Sequence, residues 1–375
     1  MLMFWGTLAA LNLVAGAVTS SRPNRLYDLD TMMEWGRYWL VEGANIYTLG
    51  PWGNVDYPPN AIVLLSPLSL LSLGVAHPVW MLLNTFLVLI TPYHAARFLR
   101  PNAPFRVIAL PILMFLSWGG ARTLTQFTLA ALACSMLAMV AATTRPVAGG
   151  MWLGLAMMKP QVAVPVLLWC AFTRRWTAVL TSMAVVAALV GVFCLRSGGE
   201  PYSMTVHYLQ TLADYHTGDA ILAGMSELRP LIYQIVADVS KADVIAGSIA
   251  VSLIGAICVA GFQEGAARRR VLYAAPALVA CWSLMTVYHL TYGFVILLPV
   301  MMLLALNDAE HSRLRRTLFW SLQVGMMFDI PNLTRQAGLA DTLLYRDVLV
   351  HVDRALMVVL FAGLITLAWR EPAES

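Results

Sequence analysis

Charged side chains are scarce in this chain of 375 residues. Asp, Glu, Lys and Arg together make up 12% of it, against 59% hydrophobic residues and a mean hydropathy of +0.71. A soluble domain carries roughly 25% charged residues, about twice the fraction found here. This deficit excludes an ordinary cytosolic enzyme, a disordered chain and a nucleic-acid binder. The net charge of +4 is small, and it becomes informative only when the charges are assigned to the two sides of a membrane.

Two common kinds of site are also missing. The sequence has no glycine-rich nucleotide loop and no acidic metal motif. All five cysteines lie in apolar runs at no metal-binding spacing, so we expect buried, inert thiols rather than a metal site or a disulfide framework. They are Cys134, Cys170, Cys194, Cys258 and Cys281.

Long apolar runs are abundant instead. A transmembrane helix needs about 20 mostly apolar residues, and the sequence predicts an all-α, polytopic membrane protein of about 12 such helices in one domain, 1–375. The first run has no basic n-region, so we expect a span rather than a cleaved signal peptide. The runs lie at 3–20, 79–96, 107–120, 123–143, 147–158, 162–173, 177–195, 247–263, 271–288, 290–306, 317–330 and 353–369.

Two neighbouring predicted spans are short and are separated by a break that carries a charge. Residues 147–158 and 162–173 are both short and are separated by Lys159-Pro160-Gln161. Broken spans line cavities inside a protein, because bare backbone that faces lipid would be unsatisfied. A charge within an apolar run is costly and usually functional, which favours a functional role for Lys159. The alternative is a side chain that extends to the membrane surface.

The basic residues predict the orientation, because cytoplasmic loops carry excess Lys and Arg. With the basic clusters inside, the spans from residue 79 onward alternate without conflict and the C-terminus is cytoplasmic. A further apolar run, 60–74, contains Pro67 and either spans the membrane or dips in and returns. We favour the second option, because it puts two long polar segments, 21–59 and 196–246, on the same outer face. The basic residues are Arg97, Arg100, Arg106, Arg145, Arg174, Arg175, Arg268, Arg269, Arg270, Arg313, Arg315, Arg316 and Arg370.

The first polar segment contains a predicted amphipathic helix at 31–42. Its apolar face carries Met32, Trp35 and Trp39, a pattern typical of an interfacial helix with aromatic rings at headgroup level. Gly43 is a plausible helix stop. Two acids, Asp28 and Asp30, directly precede this helix. They are either helix caps or groups that meet the headgroup of a lipid-linked substrate.

The second polar segment, 196–246, combines aromatic and hydrogen-bonding side chains. Such a mixture suits a carbohydrate, and an ordinary solvated loop is an equally good interpretation. The residues concerned are Tyr202, His207, Tyr208, Asp214, Tyr215, His216, Asp219, Glu227, Arg229 and Tyr233.

Several stretches resemble the bacterial polyprenol-phosphate-mannose-dependent mannosyltransferases, multispan enzymes of the GT-C glycosyltransferase class. The order of the matching stretches and their spacing, rather than any single motif, carry the resemblance. The first external loop contributes Asp30, then Gly43-Ala44-Asn45-Ile46-Tyr47, Tyr57-Pro58-Pro59 and Pro67. Later stretches are Thr125-Gln126, the run 149–176 with its Lys159-Pro160-Gln161 break, and Tyr288-His289.

The resemblance implies an inverting sugar transfer on the outer face of a bacterial inner membrane. The donor would be a polyprenyl-monophosphate sugar, with mannose as the expected sugar, and the acceptor a glycan or glycolipid. Asp30 would be the general base, with Asp28 as second choice. No cofactor, nucleic acid or obligate protein partner is expected. No residue is assigned as a metal ligand, and a metal requirement is left open. Glu34 stands where the family commonly has an aromatic residue, and Ala121–Thr125 replace the usual small residues, so acceptor recognition could differ.

Further residues are assigned on chemical grounds. A departing phosphate needs cationic or N–H donors, and the acceptor needs hydrogen-bonding partners on the external loops. The candidates for binding the donor phosphate or another part of a substrate are Lys159, His289, Arg122, Arg229, Gln126 and Tyr57, of which Gln126 and Tyr57 lie in stretches that carry the family resemblance. The candidates for the acceptor side are Glu34, Tyr215 and His216.

Two other functions use similar architectures. A transporter or flippase of a lipid-linked sugar would favour matching broken helices in two repeats, whereas this chain has one clear break. A ligase or polymerase with a polyprenyl-diphosphate donor would favour several basic residues in a large external loop. Segment 196–246 contains only Arg196, Arg229 and Lys241.

Overall fold

In a computed structural model of the protein, the described part of the chain is helical. It comprises residues 2–20, 27–48, 55–99, 102–123, 127–215, 227–262, 265–286, 296–306, 313–328 and 348–370, with short pieces at 330, 333–334, 337–339 and 342–344. No strand occurs within these ranges. The prediction of an all-α polytopic membrane protein is confirmed.

The helices follow the predicted apolar runs with shifts at their ends. The first eight are α1 (Leu2–Ser20), α2 (Tyr27–Leu40), α3 (Pro59–Leu65), α4 (Leu73–Leu99), α5 (Phe105–Thr123), α6 (Phe127–Thr144), α7 (Pro146–Ala156) and α8 (Pro160–Phe172). The rest are α9 (Trp176–Ser197), α10 (Pro201–Tyr215), α11 (Arg229–Val236), α12 (Val239–Phe262), α13 (Gly265–Thr286), α14 (Leu298–Leu306), α15 (Arg313–Phe328) and α16 (Val352–Arg370). Two 3-10 helices, Ser66–Leu70 and Leu349–His351, precede α4 and α16.

Five of the described helices are long and apolar enough to cross a membrane by length and composition. They are Leu73–His94, Phe127–Thr144, Trp176–Ser197, Val239–Val259 and Leu349–Leu367. The shorter apolar helices are Leu2–Ala15, Pro59–Leu70, Phe105–Ser117, Pro146–Ala156, Pro160–Phe172 and Ala274–Thr286. The large share of short helices reflects the break within α7–α8 and the prolines that start or interrupt several runs.

The apolar run at 60–74 forms α3 and the 3-10 helix that follows it, and it does not cross the bundle. Tyr57 before it and Trp80 after it both contact the ring of Phe127, with centroid distances of 5.6 and 4.9 Å. The segment therefore enters and returns at one end, which we call the site end. Pro67 lies in the first turn of the 3-10 helix, where its missing N–H is tolerated.

The two short predicted spans on either side of Lys159 are present as two antiparallel half-helices, α7 and α8. Their 11 and 13 residues are about 16 and 20 Å long, whereas the hydrocarbon core is about 30 Å thick. Neither half-helix is long enough to cross the membrane by itself, and Lys159 in the turn between them is buried in protein. Glycines allow this close packing, because a Cβ at Gly149 would come within 2.6 Å of Ala142, and one at Gly150 within 2.5 Å of Ala178.

The second polar segment is more helical than expected. It contains α10, α11 and the start of α12, which begins at Val239 rather than at residue 247. The prediction missed this start because Lys241 and Asp243 interrupt the apolar pattern there. Both charges are paired: Lys241 with Asp238, and Asp243 with Arg229.

Candidate active site

Helix α2 begins earlier than predicted and packs differently. It covers Tyr27–Leu40, so Asp28 and Asp30 lie in its first turn rather than ahead of it. Leu29, between the two acids, is 1% exposed and extends the buried face toward the N-terminus. The apolar pattern of the sequence indicates this face only from Met32 onward, because the two acids interrupt it.

The aromatic face of α2 faces protein, which corrects the prediction that its rings lie at headgroup level. Trp39 stacks on Phe193 of α9 at 5.4 Å, and its Nε1–H donates to the Phe193 carbonyl at 3.1 Å. Gly43 ends the helical turn with a φ of +69°, as predicted. The face of α2 that carries Asp30 is thereby held in a fixed orientation.

Asp30 contacts a histidine that the sequence analysis did not select. His77 Nε2 lies 2.6 Å from Asp30 Oδ1. A carboxylate only accepts hydrogen bonds, so Nε2 carries the hydrogen and donates it. The Asp30 side chain is 27% exposed, so a substrate hydroxyl can reach it. The sequence signal that could have identified His77 is its position as an ionisable residue at the start of the apolar run that forms α4.

Lys159 is buried at the site end, in the turn between the half-helices. It is 4% exposed, its Nζ donates to Thr128 Oγ1 at 2.6 Å, and it lies 5.9 Å from the centroid of the Tyr57 ring. Thr128 is in the first turn of α6 and Lys159 directly precedes α8. Two helix N-termini, each the positive end of a helix dipole, thus converge on one ammonium group.

Two carboxylates lie within electrostatic range of this ammonium group. Asp56 and Asp28 both interact with Lys159 and with each other. Burial, and then the like charge of Asp28, raise the pKa of Asp56 to about 6, while Lys159 opposes the shift. Asp56 was also missed, since nothing in the loop before Tyr57 marks it out from the sequence.

The two polar segments meet at this end, as the preferred topology requires. Arg196 at the end of α9 donates to the carbonyls of Leu40 and Val41, each at 3.0 Å. Tyr208 of α10 lies within electrostatic range of Asp56. Burial, followed by that negative charge, raises the pKa of Tyr208. Helix α10 therefore contributes to the wall of the site.

A second buried polar cluster lies where α11, α13 and α16 meet. Arg354 is fully buried and donates from Nε to the Glu227 carbonyl at 3.0 Å, and it also contacts His351 Nδ1. His351 Nε2 lies 2.7 Å from Gln234 Oε1. Because an arginine only donates, His351 Nδ1 is the acceptor and Nε2–H donates to Gln234.

Hydrogen bonds place this second cluster at the site end as well. Leu228 N–H donates to the Met285 carbonyl at 2.8 Å, and Ser283 Oγ donates to the Gln161 carbonyl at 2.7 Å. Ser283 and Met285 are in the last turn of α13, and Gln161 follows Lys159 by two positions. The last turn of α13 therefore connects the two clusters.

The remaining candidate substrate-binding residues from the sequence analysis do not all lie at the site end in the described part of the chain. Arg229 forms an ion pair with Asp243, and Glu34 is exposed on α2. Arg122 and Tyr215 are at the ends of α5 and α10, with side chains outside the described part. Gln126, His216 and His289 lie outside the described residues. Among described residues, no group of three His, Cys, Asp or Glu is arranged to hold a metal ion.

The apolar helical bundle and its carboxylate-bearing site end define a polytopic membrane protein of the kind expected for a membrane glycosyltransferase. The family model of glycosyltransferase family 87 matches residues 55–288, more than half of the chain. The chain belongs to glycosyltransferase family 87. No curated protein and no solved structure matches it. The matched range includes Asp56, His77 and Lys159, whereas Asp30 precedes it.

Proposed function

We propose that this glycosyltransferase moves a sugar, with mannose as the favoured candidate, from a polyprenyl-monophosphate donor to a glycan or glycolipid acceptor, with inversion. The observation that supports this best is the arrangement of the site end. A partly exposed carboxylate, Asp30, is hydrogen-bonded to His77, and a buried ammonium group, Lys159, lies at the same end. Family membership supplies the reaction class.

Asp30 acts as the general base in this proposal. The acceptor oxygen attacks the anomeric carbon, the bond from that carbon to the phosphate oxygen breaks, and the acceptor proton moves to Asp30. His77 donates to Oδ1 and leaves Oδ2 to receive the proton, so it acts as a positioning residue. A positioned base contributes about 10²–10⁴-fold.

Lys159 stabilises the departing polyprenyl phosphate. Its ammonium group and the N-termini of α6 and α8 supply positive potential where the phosphate gains charge. In this proposal the turn lies at a depth that a lipid-linked phosphate can reach without leaving the bilayer. Asp28 and Asp56 favour the charged form of Lys159 before the donor binds. Holding both substrates in register lowers the barrier by more than the base does, about 7–11 kcal/mol.

The reaction takes place on the outer face of a bacterial inner membrane in this proposal. The basic clusters lie at the opposite ends of the spans from Asp30 and Lys159, and basic loops stay in the cytoplasm. The acceptor approaches from outside, over α2 and α10.

The decisive experiment is sugar transfer in proteoliposomes from radiolabelled polyprenyl-phosphate-mannose to a cell-envelope lipid extract. We expect Asp30→Asn to lose at least about 100-fold in rate, because the amide cannot take the proton. His77→Asn is expected to lose less, mainly in kcat, because the base remains but is less well oriented. Transfer by Asp30→Asn at the wild-type rate would reject Asp30 as the base.

Two matched variants control for non-specific effects. Glu42→Gln removes an exposed acid just beyond α2, and His94→Asn changes an exposed histidine near the other end of α4. Both are expected to keep the wild-type rate. A wild-type protein that moves the donor across the bilayer and forms no glycosidic product would favour a flippase instead.

A further inference from the structure

Glu227 is a buried carboxylate with no role in the steps above. It is 5% exposed, and its Oε1 has no hydrogen-bond partner among the described residues. A buried acceptor without a donor costs about 1–3 kcal/mol, and more when it is charged. A buried polar group that stays unsatisfied calls for an explanation, and a bound species that completes the hydrogen bond is one.

The backbone around Glu227 is held from two directions. The Glu227 carbonyl accepts from Arg354, and the next N–H donates to Met285. Arg354 is itself fixed by His351 and by the Val350 carbonyl at 3.2 Å. The backbone that carries the carboxylate is therefore fixed, which lowers part of the entropy cost of binding a ligand.

The charges around Glu227 indicate which chemistry it accepts. Burial raises the pKa of Glu227 to about 6, against the nearby positive charges of Arg229 and Arg354. The ionised form of Glu227 acts only as an acceptor. A phosphate would be repelled by it, whereas a hydroxyl group supplies the donor that Oε1 lacks.

We propose that Glu227 binds a hydroxyl group of a sugar ring at the site end. The inference rests on the proposed function, which brings two sugars to this end: the one on the donor and the one on the acceptor. Hydroxyl groups of either satisfy the same acceptor oxygen. Glu227 is then a sugar-binding residue that fixes the position of the ring relative to the base.

The test measures binding, so it does not depend on catalysis. Detergent-solubilised wild type and Glu227→Gln are titrated with three probes: polyprenyl-phosphate-mannose, polyprenyl phosphate without sugar, and octyl α-mannoside as a surrogate acceptor. We expect Glu227→Gln to lose about tenfold or more in affinity for one mannosylated probe, as for one charge-assisted hydrogen bond. Affinity for polyprenyl phosphate stays unchanged. The affected probe identifies the donor or the acceptor sugar.

Two further variants separate binding from folding. Glu227→Asp keeps the charge beside Arg229 and Arg354 but withdraws the oxygen by one carbon–carbon bond, about 1.5 Å, and is expected to show the same selective loss. Glu200→Gln, at an exposed acid before α10, is expected to bind like the wild type.

The outcomes distinguish this inference from the proposed function. If both Glu227 variants bind all three probes like the wild type, or weaken all three equally, the sugar-binding role is overturned and the proposed function stands. If the wild type binds neither mannosylated probe, the proposed function fails and the role of Glu227 fails with it.

Discussion

At the residue scale, the site depends on pairs of groups that are far apart in the chain. Asp30 and His77 are separated by 47 positions, and Lys159 and Thr128 by 31. Asp30 and Lys159 could be selected from the sequence because each is a charge at an informative place. Their partners are single polar residues in apolar surroundings, and only packing shows what they contact.

Asp56 predicts a pH dependence of stability. Its pKa is raised from 3.8 to about 6 in the fold, so folding favours the protonated form, and that contribution is lost as the pH rises from about 4 through 6. We expect the unfolding temperature of wild type to fall relative to that of Asp56→Asn over this range, because the variant has no charge to bury. Thermal unfolding in detergent at several pH values measures the difference.

Asp238 offers the matched control, because its side chain is 39% exposed and hydrogen bonds from Lys241 lower its pKa. Asp238→Asn is expected to follow the wild-type pH profile between 4 and 6. A wild type and an Asp56→Asn variant with parallel profiles would show that Asp56 is not perturbed by burial.

At the element scale, the sequence indicated the break between α7 and α8. It did not indicate that the turn at this break is buried in protein. Proline and lysine in an apolar run indicate a break. Helix α7 is packed closely against α6 at Gly149 and against α9 at Gly150 and Gly154. Small residues permit such close helix packing in membranes, and they thereby position Lys159.

Gly150→Ala tests this packing. The added Cβ would lie 2.5 Å from both the Ala178 carbonyl oxygen and Thr181 Cβ, so α7 has to shift away from α9. We expect a cost of about 1–3 kcal/mol, the range for overpacked sites, together with reduced sugar transfer as Lys159 moves. The measurements are thermal unfolding and the proteoliposome assay.

Gly191→Ala in α9 is the control, since a Cβ there meets nothing within 4 Å. It is expected to be neutral or to stabilise by about 0.5–1 kcal/mol, as for alanine in place of glycine in a helix. Equal unfolding temperatures for the two variants would argue against a tight α7–α9 contact.

At the scale of the whole molecule, the proposed orientation has a direct test. Cysteines introduced as Glu200→Cys at the site end and Arg145→Cys at the opposite end are both at exposed positions. An impermeant maleimide applied to intact cells is expected to label the first and to label the second only after permeabilisation. The unsubstituted protein, whose five cysteines lie within helices, provides the background. The reverse pattern would place Asp30 in the cytoplasm.

The sequence by itself determined the class of protein, because apolar length, charge scarcity and a proline-lysine break act along the chain and need no partner. It also indicated that segments 21–59 and 196–246 share one end. Only the tertiary structure decided which polar groups meet there, as for Asp30 with His77, or Glu227 with Arg354 across 127 positions. Such contacts arise from helix packing and from the return of residues 59–70, which depend on the shape of the whole bundle rather than on any local pattern.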